Sequence, residues 1–249
     1  MNLEVTDGSS ENAGVTPRGR RLLVRLVILV ITVYVLQKGL AQAIGMWSPE
    51  GNLLKVCVII QQTVGILAPV VFFVMVLQLP ARAAIGLHRP RWYRLVIAVA
   101  AGFLLISIIN LLLPQIIKPS QRYTSAAGSI TAYDDLAGLL LTLVAVSIVA
   151  AAADEFFFRG VVLRGVMARY GRSAAILVTA VLTAAFHTLE PFKLTHSFIM
   201  GLIFATAVVW TGSVYTSLIL HGLHNSLALL PVTWLTAWQG ALISLLGIE

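Results

Sequence analysis

The chain has 249 residues, 59% of them hydrophobic and only 11% charged, and its mean hydropathy is +0.93. Soluble domains carry about 25% charged residues, so these values exclude an ordinary water-soluble globular protein. The formal net charge of +7 does not indicate nucleic acid, because the arginines lie between apolar runs rather than in one patch.

Apolar runs near 20 residues recur along the chain, and lipid admits only spanning elements that satisfy their own backbone hydrogen bonds. The expected fold class is all-α: a polytopic transmembrane helical bundle of about eight spans. A transmembrane barrel would show short alternating segments instead. Residues 1–20 begin polar and end basic, and are expected to form a disordered cytoplasmic tail. Arg18, Arg20, Arg21 and Arg25 lead into the first apolar run, near 22–44. That run with Ala41-Gln42-Ala43 superficially resembles a cleavable leader. Its length and the span close behind it favour an uncleaved first helix.

Further spans are expected near 56–79, 95–114, 136–158, 173–188, 196–211, 213–230 and 231–247. Residues 21–135 would form an N-terminal set of transmembrane helices and loops, and residues 136–247 a helical core. Gln115 to Asp135 reads as an extracytoplasmic loop. The single Cys57 lies within a span and reads as a small buried apolar residue. With the N-terminus cytoplasmic, 12 of the 17 basic residues fall on the inner side and Lys38, Lys55, Lys118, Arg122 and Lys193 on the outer, as the positive-inside rule requires. This pattern predicts a multi-pass protein of the bacterial cytoplasmic membrane.

Leu136 to Ala153 carries no charge and then runs into Asp154-Glu155-Phe156-Phe157-Phe158-Arg159. A charge at the centre of a membrane helix costs roughly 2.5–3.5 kcal/mol, so the acidic pair needs a partner or a use. Glu155 and Arg159 stand four apart and can pair on one helical face. His221 and Asn225 share the same spacing, and His224 lies beside them. If the helix after Glu155 turns near Gly171, then Glu155 lies 16 residues before the turn and His187 lies 16 after it. The constant rise of about 1.5 Å per residue brings the two level in an antiparallel hairpin. His196, near the start of a span, reads as interfacial.

A carboxylate and an imidazole facing one water can position it and take its proton. A second imidazole and an amide can stabilise the oxyanion formed when that water attacks a peptide carbonyl. Two histidines and a carboxylate are also a three-ligand zinc set; no cofactor is required in the preferred reading, and zinc stays open. The rival reading of each group is structural: an ion-pair cluster for the acids and Arg159, and helix-packing hydrogen bonds for the histidines.

These residues resemble the CPBP family, the CAAX-prenyl endopeptidases with bacteriocin-processing and immunity proteins. Asp154-Glu155-Phe-Phe-Phe-Arg159-Gly160 is similar to the family's Glu-Glu-x-x-x-Arg motif. His187 fills the histidine of Phe-x-x-x-His with Thr183 in the Phe place, and His221-Gly-Leu-His-Asn225 fits His-x-x-x-Asn. The resemblance covers about residues 136–230. It implies an intramembrane endopeptidase in which Asp154 and His187 hold the water, His221 and Asn225 bind the oxyanion, and Glu155 supports the site through Arg159. Asp154 is one methylene shorter than the family's Glu. The expected partners are a peptide or membrane-protein substrate and the lipid bilayer, with no nucleic acid. The alternatives are a weak or inactive member acting as a membrane binding or immunity protein, and a small-solute transporter.

Overall fold

The computed structural model describes residues 17–187, 189–227 and 229, and over these the chain is an all-α membrane bundle. Helix α1 is Pro17–Trp47 and α2 is Gly51–Val76, with a π-helical turn at Thr63–Leu67. The short α3, Ala81–Ile85, precedes α4, Trp92–Ile116, and α5, Gln121–Thr131. Helix α6, Leu136–Phe186, is the longest. It is followed by α7, Pro191–Thr211, and α8, Val214–Leu227. Among the described residues five helices are long and apolar enough to cross a membrane: α1, α2, α4, α6 and α7. The expected span 231–247 lies outside the described residues.

The surface explains why the bundle belongs in lipid. On α1, Val24, Ile28, Ile31 and Val35 are exposed while Leu26, Leu29 and Val33 are buried. One apolar stripe thus faces outward and a second faces inward, as a helix between protein and hydrocarbon must be arranged. The chain is an integral membrane protein.

Helix α6 supplies two arms, because Gly171 adopts φ 80°, ψ 179° and breaks it. A positive φ is reached at little cost only without a Cβ. The second arm folds back on the first: the Phe186 ring packs on Phe157 and Phe158 at 5.4 and 5.2 Å between centroids. The first arm contains two π-helical stretches, Leu143–Ala150 and Glu155–Val162. The second of these is the centre of the bundle. Phe157, Phe158 and Val162 within it pack against Leu29 and Val33 of α1, Ile66 and Val70 of α2, and Ala205 and Val208 of α7. A second cluster joins α4, α7 and α8 through Ile106, Phe204 and Leu220.

The connection expected to be a loop at Gln115 to Asp135 contains α5. The Ser120 hydroxyl accepts from Tyr123 N at 3.3 Å and caps its start. A short helix with this polar a sequence has no apolar run to reveal it. Glu190 links this region to α7: it accepts from Ser120 N at 3.1 Å and from Lys193 N at 2.7 Å.

Helices in lipid gain little from the hydrophobic effect and associate by close packing over small residues. Gly201 of α7 lies so near α6 that a Cβ there would meet Ala180 Cα at 2.7 Å. Gly201→Ala is therefore expected to lower stability in detergent by about 1–3 kcal/mol. Gly128→Ala on α5, where a Cβ meets nothing within 4 Å, should be neutral or slightly stabilising. Thermal unfolding of the two variants beside the parent checks both expectations.

Candidate active site

The π-helical stretch of α6 carries Glu155 and Arg159, both fully buried. Glu155 Oε1 accepts from Arg159 Nη1 at 3.1 Å and from His221 Nδ1 at 2.8 Å. The guanidinium also lies over the rings of Phe158 and Phe204, at 5.6 and 5.2 Å, and His221 stacks on Phe204 at 5.1 Å. One carboxylate oxygen thereby fixes a cation from its own helix and an imidazole from α8. A π-helical turn is a common device for re-aiming side chains at such sites.

His187 is the first residue beyond the helical end of α6, with φ −79° and ψ −118°. Its Nδ1 lies 2.7 Å from the Thr183 carbonyl. A carbonyl only accepts, so Nδ1 carries the proton and Nε2 is left as the basic atom. Thr183 is itself buried, and its hydroxyl donates to Thr179 O at 2.8 Å. The helix end is closed from α1: Lys38 Nζ donates to Phe186 O at 2.9 Å and also to His187 O. A cation at a helix C-terminus meets the negative end of the helix dipole.

Asn225 is fastened by Nδ2 donating to Val146 O at 2.9 Å, and the neighbouring Ser226 donates to Ser147 Oγ at 3.0 Å. Both partners lie in the first π-helical stretch of α6. The amide keeps a second N–H for other use.

These side chains converge on a cavity of about 30 Å³ whose walls include Arg159, Thr183, His187, His221, His224 and Asn225. That is room for one water. Among the described residues His196 Nδ1, His224 Nδ1 and Arg159 Nη2 are buried without a hydrogen-bond partner, so the walls are polar enough to hold a water. Asp154 is half-buried and is not among the walls. Its charge acts electrostatically with His221, Arg159 and Lys193.

Two wall residues carried no functional weight in the sequence. His196 is buried within the bundle: its Nε2 meets Asn110 Oδ1 of α4 at 3.0 Å, and its ring lies 5.9 Å from Phe192 and 5.3 Å from His224. Lys193, counted only as a topological charge, lines the same cavity. The signal was present in the spacing. Lys193, His196, Met200 and Phe204 recur every three or four residues, with Ser197 beside His196, so they form one stripe of α7. Among the described residues no group of three or more His, Cys, Asp or Glu is placed to hold a metal ion. Glu155 Oε1 is instead committed to Arg159 and His221.

The fold and cavity define a membrane-embedded helical protein with a buried polar chamber built from α6, α7 and α8. Residues 136–227 match the family model described as type II CAAX prenyl endopeptidase Rce1-like, and this match supports the resemblance of that part of the chain to the CPBP family of membrane proteases. No curated protein and no solved structure matches the chain.

Removing one partner of a buried ion pair costs about 3–5 kcal/mol, whereas replacing both by apolar residues is often neutral. Glu155→Leu is expected to destabilise by that amount, and Arg159→Met added to it should restore most of the loss. Unfolding in SDS by the two variants measures the difference.

Proposed function

We propose that the protein is an intramembrane endopeptidase that hydrolyses a peptide bond by an activated water. The observation that carries this reading is the one-water cavity on which His187, His221 and Asn225 converge. His187 Nε2, left basic by the Thr183 contact, accepts the proton of the water as it attacks the peptide carbonyl. His221, held through Nδ1 against the Glu155 carboxylate, turns the Nε2 edge of its ring to the developing oxyanion. Asn225 adds its second amide N–H. His187 then returns the proton to the leaving amine, and the bond between carbonyl carbon and nitrogen breaks.

Asp154 accounts for the rate expected of this enzyme. The side chain in the place of the family's Glu is one methylene shorter and stands outside the cavity wall. A catalytic group misplaced by about 1 Å can cost on the order of a hundredfold. The natural protein is therefore slow, and Asp154→Glu, which lengthens the carboxylate towards the water, should raise cleavage by one to two orders of magnitude.

The same observation favours a second reading, a binding or immunity protein on the protease fold. The sources of substrate are peptides or membrane proteins of the bacterial cytoplasmic membrane. The N-terminus lies in the cytoplasm, as the distribution of the 17 basic residues suggests.

Purified full-length protein incubated with peptide and membrane-protein substrates should cleave, His187→Ala should abolish cleavage, and Asn225→Ala should slow it by about 10²–10³. Cleavage that survives His187→Ala would contradict the protease reading. No cleavage by the parent or by Asp154→Glu, together with full function of Asp154→Asn in cells, would establish the binding role instead.

A further inference from the structure

Away from the polar chamber, an apolar groove of about 540 Å³ runs between α1 and the second half of α2. Leu29 and Leu36 line one side, and Val64, Phe73 and Leu77 the other. Among the described residues its lining contains one charged side chain, Arg25, which is exposed. The connection between the two helices is short, and Gln37 Nε2 donates to Gln62 Oε1 at 3.1 Å, so α1 and α2 run antiparallel. Arg25 and Leu77 therefore share one end of the groove, and Leu36 and Val64 the other.

Three features select the occupant. From Arg25 to Leu36 the helix rises about 16 Å, roughly half of the ~30 Å hydrocarbon core of a bilayer, so the groove is one leaflet long. Arg25 lies near the start of the span that begins at Arg21, at head-group depth, where a guanidinium pairs bidentately with phosphate. The floor is fixed, because buried Leu29 and the adjoining Phe73 belong to the core around Phe157 and Phe158. A fixed apolar slot loses little entropy on taking up an acyl chain.

We infer that this groove is a binding site for one anionic phospholipid, its acyl chain along α1 and α2 and its phosphate on Arg25. Because the floor is shared with the motif-bearing stretch of α6, the lipid supports the helix that carries Glu155 and Arg159. Lipid binding is measured without any cleavage assay, so its outcome is independent of the protease reading.

The test is native mass spectrometry of the full chain released from nanodiscs of equal parts phosphatidylglycerol and phosphatidylcholine. The parent is expected to retain one phosphatidylglycerol with about fivefold preference, the value of one basic residue at a membrane surface. Arg25→Gln should remove the preference. Ala68→Phe, placed at an exposed position of the lining, should reduce retention of both lipids. Arg21→Gln, one turn away and exposed but not part of the lining, should change neither. Equal retention of the two lipids by the parent, an equal loss with Arg21→Gln, undiminished retention by Ala68→Phe, or a lipid-free protein dimer that Ala68→Phe disperses would each overturn the inference.

Discussion

Glu155 Oε1 receives hydrogen bonds from both Arg159 and His221, and the rest of the site is arranged around that oxygen. A carboxylate and a guanidinium buried inside a helical bundle are costly alone and tolerable when paired and hydrogen-bonded. The pair fixes the π-helical stretch of α6 in one rotation, since Arg159 is also held between the rings of Phe158 and Phe204. It fixes α8 as well, because His221 can reach Glu155 only where α8 crosses that stretch. The contact that offsets the charge is thus also the contact that aims the imidazole at the cavity.

A second constraint comes from outside the matched domain. Lys38 of α1 closes the helix end that presents His187, and Asn110 of α4 holds His196. The N-terminal helices are therefore more than an anchor. Residues 136–227 carry the motifs, yet two residues of the earlier helices hold the backbone at His187 and the ring of His196, both of which line the cavity. The short side chain of Asp154, which is not part of the cavity lining, is one of two points at which this chain departs from the pattern, Thr183 being the other.

Much of the helical architecture was legible because hydrocarbon thickness imposes run length, and runs near 20 residues mark spans without any knowledge of packing. The hairpin was legible for a similar reason: helical rise is constant, so equal counts either side of Gly171 bring residues level, and the Phe186 contacts with Phe157 and Phe158 show the arms side by side. The pairing of Glu155 with Arg159 follows from local spacing. What escaped was non-local. Lys193 and His196 gain their meaning from α4, α6 and α8, and Lys38 from a helix end 148 residues away. The α5 helix escaped because a polar segment with one capping serine offers no periodic apolar signal. The π-helical winding has no compositional mark at all.

The central claim is that Glu155 acts through His221, holding the imidazole at the reacting oxygen, rather than as an independent group. A double-mutant cycle on cleavage rate tests it most directly, with Glu155→Gln, His221→Asn and the pair compared in the full-length protein. The account predicts that the double variant is no slower than the slower single variant, because each change breaks the same arrangement. Rate losses that multiply across the two positions would contradict it.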